Sequence, residues 1–269
     1  MSVSIQELNQ ADRTLHSLSQ LIALTAMQWL PSQPDDSQTN INWNSHQQRL
    51  EGRTFVRDNQ PTRLVIDADA FILQFMDDQG QVHTSFSPEG RTPLDAMNWW
   101  RDQMQSWGID TIKGLNYTLD KEPVDPQTTY QRPSGLASWA YWRSMANTAL
   151  QALTEASGQK SESRIWPHHF DTGVYYTQPD SSDQEKAAIW AGYAIADSLC
   201  DEPYFYLSGY KRQESINFSK APTLSVGEWR NTPTWKGALL PIPQAADGKD
   251  ITLFLQESYA WLEKETHTD

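Results

Sequence analysis

The chain has 269 residues, 38 % of them hydrophobic and 20 % charged, and a formal net charge of −13. That length suits one large domain or two modest ones, and the composition is that of a globular chain rather than a disordered one. With 34 acidic against 21 basic residues and no basic run longer than Lys211-Arg212, nucleic acid and anionic membranes are not expected partners.

The N-terminal stretch MSVSIQELNQADRTL lacks the basic and apolar regions of a signal peptide. A first helix is predicted from about Gln6 to Leu30, because Leu8, Ala11, Leu15, Leu18, Ile22 and Trp29 fall on one helical face and Pro31 follows as a stop. Its most apolar part, Leu21 to Leu30, is interrupted by Thr25 and Gln28 and is too short for a membrane span. Residues 31–40 read as a polar loop. RTFV, TRLVID, AFILQF and QVHTSF then read as short strands, with Asp77-Asp78-Gln79-Gly80 as a hairpin turn. A second helix has clear ends. Thr92-Pro93-Leu94-Asp95 supplies a capping hydroxyl, an N1 proline and an N3 carboxylate, and Trp107-Gly108 supplies the stop. Its expected buried stripe is Leu94, Met97, Trp100 and Met104.

Pro123, Pro126, Pro133 and Gly135 mark residues 116–136 as a connector. It divides an N-terminal α+β half, 1–115, from a C-terminal one, 137–269; a single compact domain is the other reading. A third helix is expected from Ser138 to Ser157, with Trp139, Trp142, Met145, Ala149 and Leu153 on one face. A second strand region reaches to Leu240, and a last helix near 250–264 would bury a subset of Leu253, Phe254, Tyr259 and Trp261. The fold class is therefore α+β, mainly antiparallel sheet with packed helices. Each half reads helix, strands, helix, and both Trp43-Asn44-Ser45-His46 and Trp166-Pro167-His168-His169 place Trp three residues before His. Internal duplication is one reading of this echo, two unrelated segments the other.

RIWPHHFDTGVYY, residues 164–176, concentrates polar groups. Read as one strand, it puts His169, Asp171, Gly173 and Tyr175 on one face, and His168, Phe170, Thr172, Val174 and Tyr176 on the core side. His169 and Asp171 would then be about 7 Å apart at roughly 3.3 Å of rise per residue. A His-x-Asp pair can ligate a metal as part of a two-His-one-carboxylate set, with His46 as the further histidine, or act as a general base with its orienting carboxylate. In PYFYLSGYK, residues 203–211, Tyr204, Tyr206, Ser208 and Tyr210 share a face opposite Phe205, Leu207 and Gly209. Twelve tryptophans and ten tyrosines in the chain supply rings for a core or for an aromatic-lined cleft. Tyr204, Tyr206, Tyr210 and Trp166 are the candidate ligand-binding residues.

Cys200 is the only cysteine, which suits a reducing compartment and a cytoplasmic location. The acidic pair Asp201-Glu202 beside it should raise its thiol pKa, so it is no candidate nucleophile. No Gly-rich phosphate loop, G-x-S-x-G, H-E-x-x-H or paired C-x-x-C is present. Glycoside hydrolysis would have Asp171, Glu202 and Glu228 to draw on. No cofactor is expected.

Trp166-Pro167-His168-His169-Phe170-Asp171, Asp201-Glu202-Pro203-Tyr204-Phe205-Tyr206, and Trp229-Arg230-Asn231 with Trp235-Lys236-Gly237-Ala238 together resemble an uncharacterised bacterial family over residues 164–264. Its pattern runs Trp-Pro-Glu-His-Phe-Asp, Glu-Pro-Tyr-x-Tyr and Trp-Asn…Gly-Ala. His168 stands where that family often has Glu, and an extra residue separates Trp229 from Asn231. The resemblance groups these segments into one unit and carries no established activity. Three functional readings result: a small-molecule binder with an aromatic-lined cleft, a metal-dependent or general acid–base enzyme centred on His169 and Asp171, and a homodimer or other assembly joined through exposed rings.

Overall fold

The computed structural model describes residues 4–119, 124–179, 185–245 and 247–267, so Pro123 of the expected connector lies outside the described residues. The fold is α+β, with two antiparallel sheets. The chain divides into two units. The first comprises residues 1–144 and 164–170, the second 145–163 and 171–269. Neither boundary falls in the proline-rich segment at 116–136.

In the first unit, helix α1 spans Ile5–Trp29, one residue from the expected bounds at each end. Strands β1 (Asn42–Asn44), β2 (Arg49–Glu51), β3 (Phe55–Arg57), β4 (Gln60–Asp67), β5 (Ile72–Asp77) and β6 (Val82–Phe86) precede helix α2, Pro93–Ser106. The sheet order is β1-β2-β4-β5-β6, with β3 paired to β4. The short strands β1 and β2 lie in a stretch for which the sequence predicts no strand. The β3–β4 hairpin turns through Asp58 and Asn59, both left-handed at φ 49 and 62, the geometry that two-residue turns require. At the β5–β6 hairpin, Asp77 Oδ1 accepts the N–H groups of Gln79 (2.9 Å) and Gln81 (2.8 Å). One sheet face is apolar, with Leu64, Ile66, Leu73 and Phe75 at 0–1 % exposure, and α1 packs on β4 and on α2. The opposite face is tied by Arg49–Asp67 (3.2 Å) and Arg63–Glu51 (3.4 Å).

The caps of α2 are those expected. Thr92 and Asp95 form a reciprocal capping box with Pro93 behind it. Hydrogen bonds from the Thr92 backbone and hydroxyl hold the Asp95 carboxyl below the usual carboxylate range. Trp100 and Met104 are buried, and Trp100 Nε1 donates to Thr25 of α1 at 2.9 Å. Leu94 departs from the predicted stripe: it is 47 % exposed, because it sits in the first turn, before the helix reaches its packing surface.

Helix α3, Leu136–Ser157, is followed by β7 (Arg164–Ile165), β8 (Thr172–Pro179), β9 (Glu185–Ala194), β10 (Tyr204–Lys211), β11 (Glu228–Asn231), β12 (Lys236–Pro241) and helix α4, Gly248–His267. In the second unit the order is β11-β12-β10-β9-β8, all antiparallel. The registers put Val174, Ala191, Leu207 and Ala238 in one cross-strand row, and Thr172, Tyr193, Phe205 and Leu240 in another. These residues are buried on the face that receives α4, which packs on β9, β10 and β12 through Phe254 and Leu262. Each such side chain removed from water contributes about 1.5–3 kcal/mol. Leu253, offered for this stripe, is instead 40 % exposed.

The reading of residues 164–176 as one strand is corrected. Pairing stops at Ile165 and resumes at Thr172, with a turn over 167–169. Phe170 is left-handed, φ 60, a conformation that breaks strand alternation. The shared face for His169 and Asp171 does not exist, and His168 is half-buried instead of core-facing. From Thr172 onward the alternation holds, with Val174 and Tyr176 buried and Tyr175 exposed. The two Trp-x-x-His segments also differ locally. Trp43 is a buried strand residue, whereas Trp166 leads into a turn.

Candidate functional site

The Trp-Pro-His-His-Phe turn belongs to the first unit, where its backbone is held from inside. The Pro167 carbonyl meets His16 Nε2 and accepts from Gln20 Nε2, both at 2.8 Å. The Phe170 ring stacks on His16 at 4.9 Å and on Trp139 at 6.0 Å. Arg143, wholly buried, donates to the Phe170 carbonyl and pairs with Asp12 at 2.8 Å. Asp12 also accepts from Trp139 Nε1 at 2.7 Å. This arrangement is a plug in a buried polar socket.

The histidines of the turn point elsewhere. His168 lies 5.7 Å from the Tyr117 ring, 6.1 Å from Trp166 and 4.2 Å from His169, which is exposed. His46 is exposed in the turn between β1 and β2. Among the described residues no group of three or more His, Cys, Asp or Glu side chains is placed to hold a metal ion. Of the candidate set, His46 and His169 belong to the first unit and Asp171 to the second.

In the second unit the tyrosine row is a strand face. Tyr204, Tyr206, Ser208 and Tyr210 alternate along β10 as predicted. The registers extend that face across its neighbours: Gly192 and Leu239 lie beside Tyr206, while Trp190 and, beyond it, Tyr175 lie beside Ser208. Strand β9 offers this face mostly small residues, Ala188, Gly192 and Ala194, which leaves room for rings from both sides. A Cβ on Gly192 would come within 2.5 Å of Tyr206 Cζ, and one on Gly237 within 2.7 Å of the Trp235 ring. These two glycines let flat side chains lie on the sheet.

At one end the rings are tied to carboxylates. Tyr206 donates to Asp171 Oδ2 and Tyr204 to Asp197 Oδ2, the latter at 2.8 Å, with the two rings 6.0 Å apart. Asp171 Oδ1 is buried without a hydrogen-bond partner. Leu199, Cys200, Tyr206 and Trp235 pack on Tyr204, Ala194 and Leu239. The Cys200 thiol is raised, the direction expected, but burial is the main cause; a backbone hydrogen bond from Glu202 and the Arg230 charge oppose it. At the other end, Tyr175, Trp190 and Tyr210 form a ladder across three adjacent strands, with centroids 6.4 and 6.2 Å apart. Tyr175 is 39 % and Tyr210 37 % exposed. The Tyr175 hydroxyl reaches both Glu185 oxygens at 3.1 Å. Trp166, the fourth candidate ligand residue, belongs to the first unit. Trp190, which the structure places between Tyr175 and Tyr210 in this ladder, was not singled out in the sequence; its place among small residues in AAIWAGYA was the available signal.

Burial, reinforced by Glu185, pushes the Tyr175 phenol up to about 12. Burial together with Asp197 raises Tyr204, and burial together with Asp171 raises Tyr206, both well above the ordinary value of 10.0. The folded protein therefore holds these protons more tightly than the unfolded chain. Their stabilising contribution is complete below pH 10 and is lost as pH climbs through the raised values. Spectrophotometric titration should show these tyrosines ionising only together with alkaline unfolding, and Tyr206→Phe should reduce that late component. Free titration of every tyrosine near its ordinary value would contradict this.

The fold and this face define an α+β protein with a ring-lined sheet surface in its second unit. Comparison with protein families, curated proteins and solved structures finds no match.

Proposed function

We propose that the protein binds a small molecule on the aromatic face of its second sheet. The observation that carries this reading is the half-exposed ladder Tyr175–Trp190–Tyr210, continuous along β10 with the Tyr206–Asp171 pair. Rings left in contact with solvent on a sheet whose other face is sealed by α4 offer apolar area with polar tips, as ligand sites require. No helix of the described residues is long and apolar enough to cross a membrane. The single free thiol, Cys200, supports a reducing, cytoplasmic setting.

Saturation-transfer NMR on benzyl alcohol, methyl glucoside and choline tests the reading. At least one probe should receive saturation from the wild-type chain, and the effect should fall by roughly tenfold in Trp190→Ala, the loss expected when a stacking ring worth about 1.4 kcal/mol is removed. Equal transfer to Trp190→Ala with an unchanged melting temperature would overturn it.

A further inference from the structure

The phenols of this face share one property. Tyr175, Tyr204 and Tyr206 each donate their hydroxyl proton to a carboxylate, of Glu185, Asp197 and Asp171 respectively. A phenol that donates to an anion gains electron density, and its ring face becomes more negative. Cations are attracted to such faces, most strongly to Trp, within about 6 Å of the centroid. Arg230 on β11, which shares the face, is already engaged by Glu228 at 2.8 Å and by the Leu199 carbonyl. The chain as a whole carries −13, a field that concentrates cations and repels anions.

From these observations we infer that the ligand of the aromatic face is a small organic cation, a quaternary or otherwise bulky ammonium, seated over Trp190 between Tyr175 and Tyr210 with the Glu185 carboxylate at its rim. This rests on the proposed binding role of the face and names its ligand class. An anionic ligand would meet the Glu185 carboxylate and the negative field of the whole chain. A neutral one would gain the ring contacts but nothing from the carboxylate-polarised phenols.

Isothermal titration of the full chain with choline and with neohexyl alcohol, its uncharged carbon analogue, separates the cases. Choline should bind about fivefold tighter than the alcohol, the scale of an exposed cation–π contact. Glu185→Gln keeps an acceptor for Tyr175, and it should weaken choline by about threefold while leaving the alcohol unchanged. Raising the salt concentration should weaken choline alone. If choline and the alcohol bind equally, or Glu185→Gln affects neither, the cation class is overturned while ring binding stands. If neither they nor benzyl alcohol and methyl glucoside bind, the binding role itself falls.

Discussion

Asp12→Ala is expected to destabilise the protein by about 3–5 kcal/mol, read as a lowered urea midpoint, because it strands a charge. Arg143 has no exposed surface and Asp12 only 2 %. Their 2.8 Å pair is joined by the Trp139 indole on the same carboxylate oxygen. Removing the carboxylate leaves the guanidinium buried over the rings of Trp139 and Phe170, 5.0 and 4.9 Å away, with cation–π attraction too weak to replace an anion. The control is Glu228→Ala. It breaks the Arg230 pair, whose side chains are 29 % and 56 % exposed, and should cost no more than about 1 kcal/mol. Similar losses for the two variants would show that the buried pair has no special weight.

Phe170→Ala should cost about 3–5 kcal/mol as well, since it empties the space between His16 and Trp139. Phe170→Gly removes the same ring but also relieves a left-handed backbone, φ 60, that side chains disfavour by roughly 1–2 kcal/mol. The glycine variant should therefore be more stable than the alanine variant by about 1 kcal/mol. The reverse order in denaturant titrations would mean that the turn is not strained at Phe170. The ring and Arg143 are in contact, so the Asp12 and Phe170 losses should not add.

Locally encoded features were legible in the sequence. The start of α2 was written by Thr92, Pro93 and Asp95 and its end by Trp107-Gly108, each acting within one helical turn. The two faces of β10 were written by strict alternation from Tyr204 to Tyr210. What escaped depends on residues far apart in the chain. Asp12 and Arg143 are separated by 131 positions, and neither residue looks unusual beside its neighbours. The Trp-Pro-His-His-Phe segment was misread because the two-residue period of the strand that begins at Thr172 was carried back through it. Pro167 can donate no ladder hydrogen bond and was the warning against a continuous strand there. That turn places Phe170 in the socket of the first unit and hands Asp171 to Tyr206 in the second, so the motif contributes one residue to packing and another to the aromatic face. His168, half-buried, packs against Tyr117, Trp166 and His169 instead. Trp190 was passed over because its ring neighbours, Tyr175 and Tyr210, come from other strands.

The most direct measurement on the aromatic face is the indole N–H spectrum of the protein, with the Trp190 signal assigned through Trp190→Phe. It would be titrated with choline and, separately, with benzyl alcohol. The Trp190 resonance should move with probe concentration, while those of Trp100 and Trp139, which are wholly buried in the first unit, stay in place. A Trp190 resonance that does not respond while other indoles shift would put the ligand somewhere else on the protein.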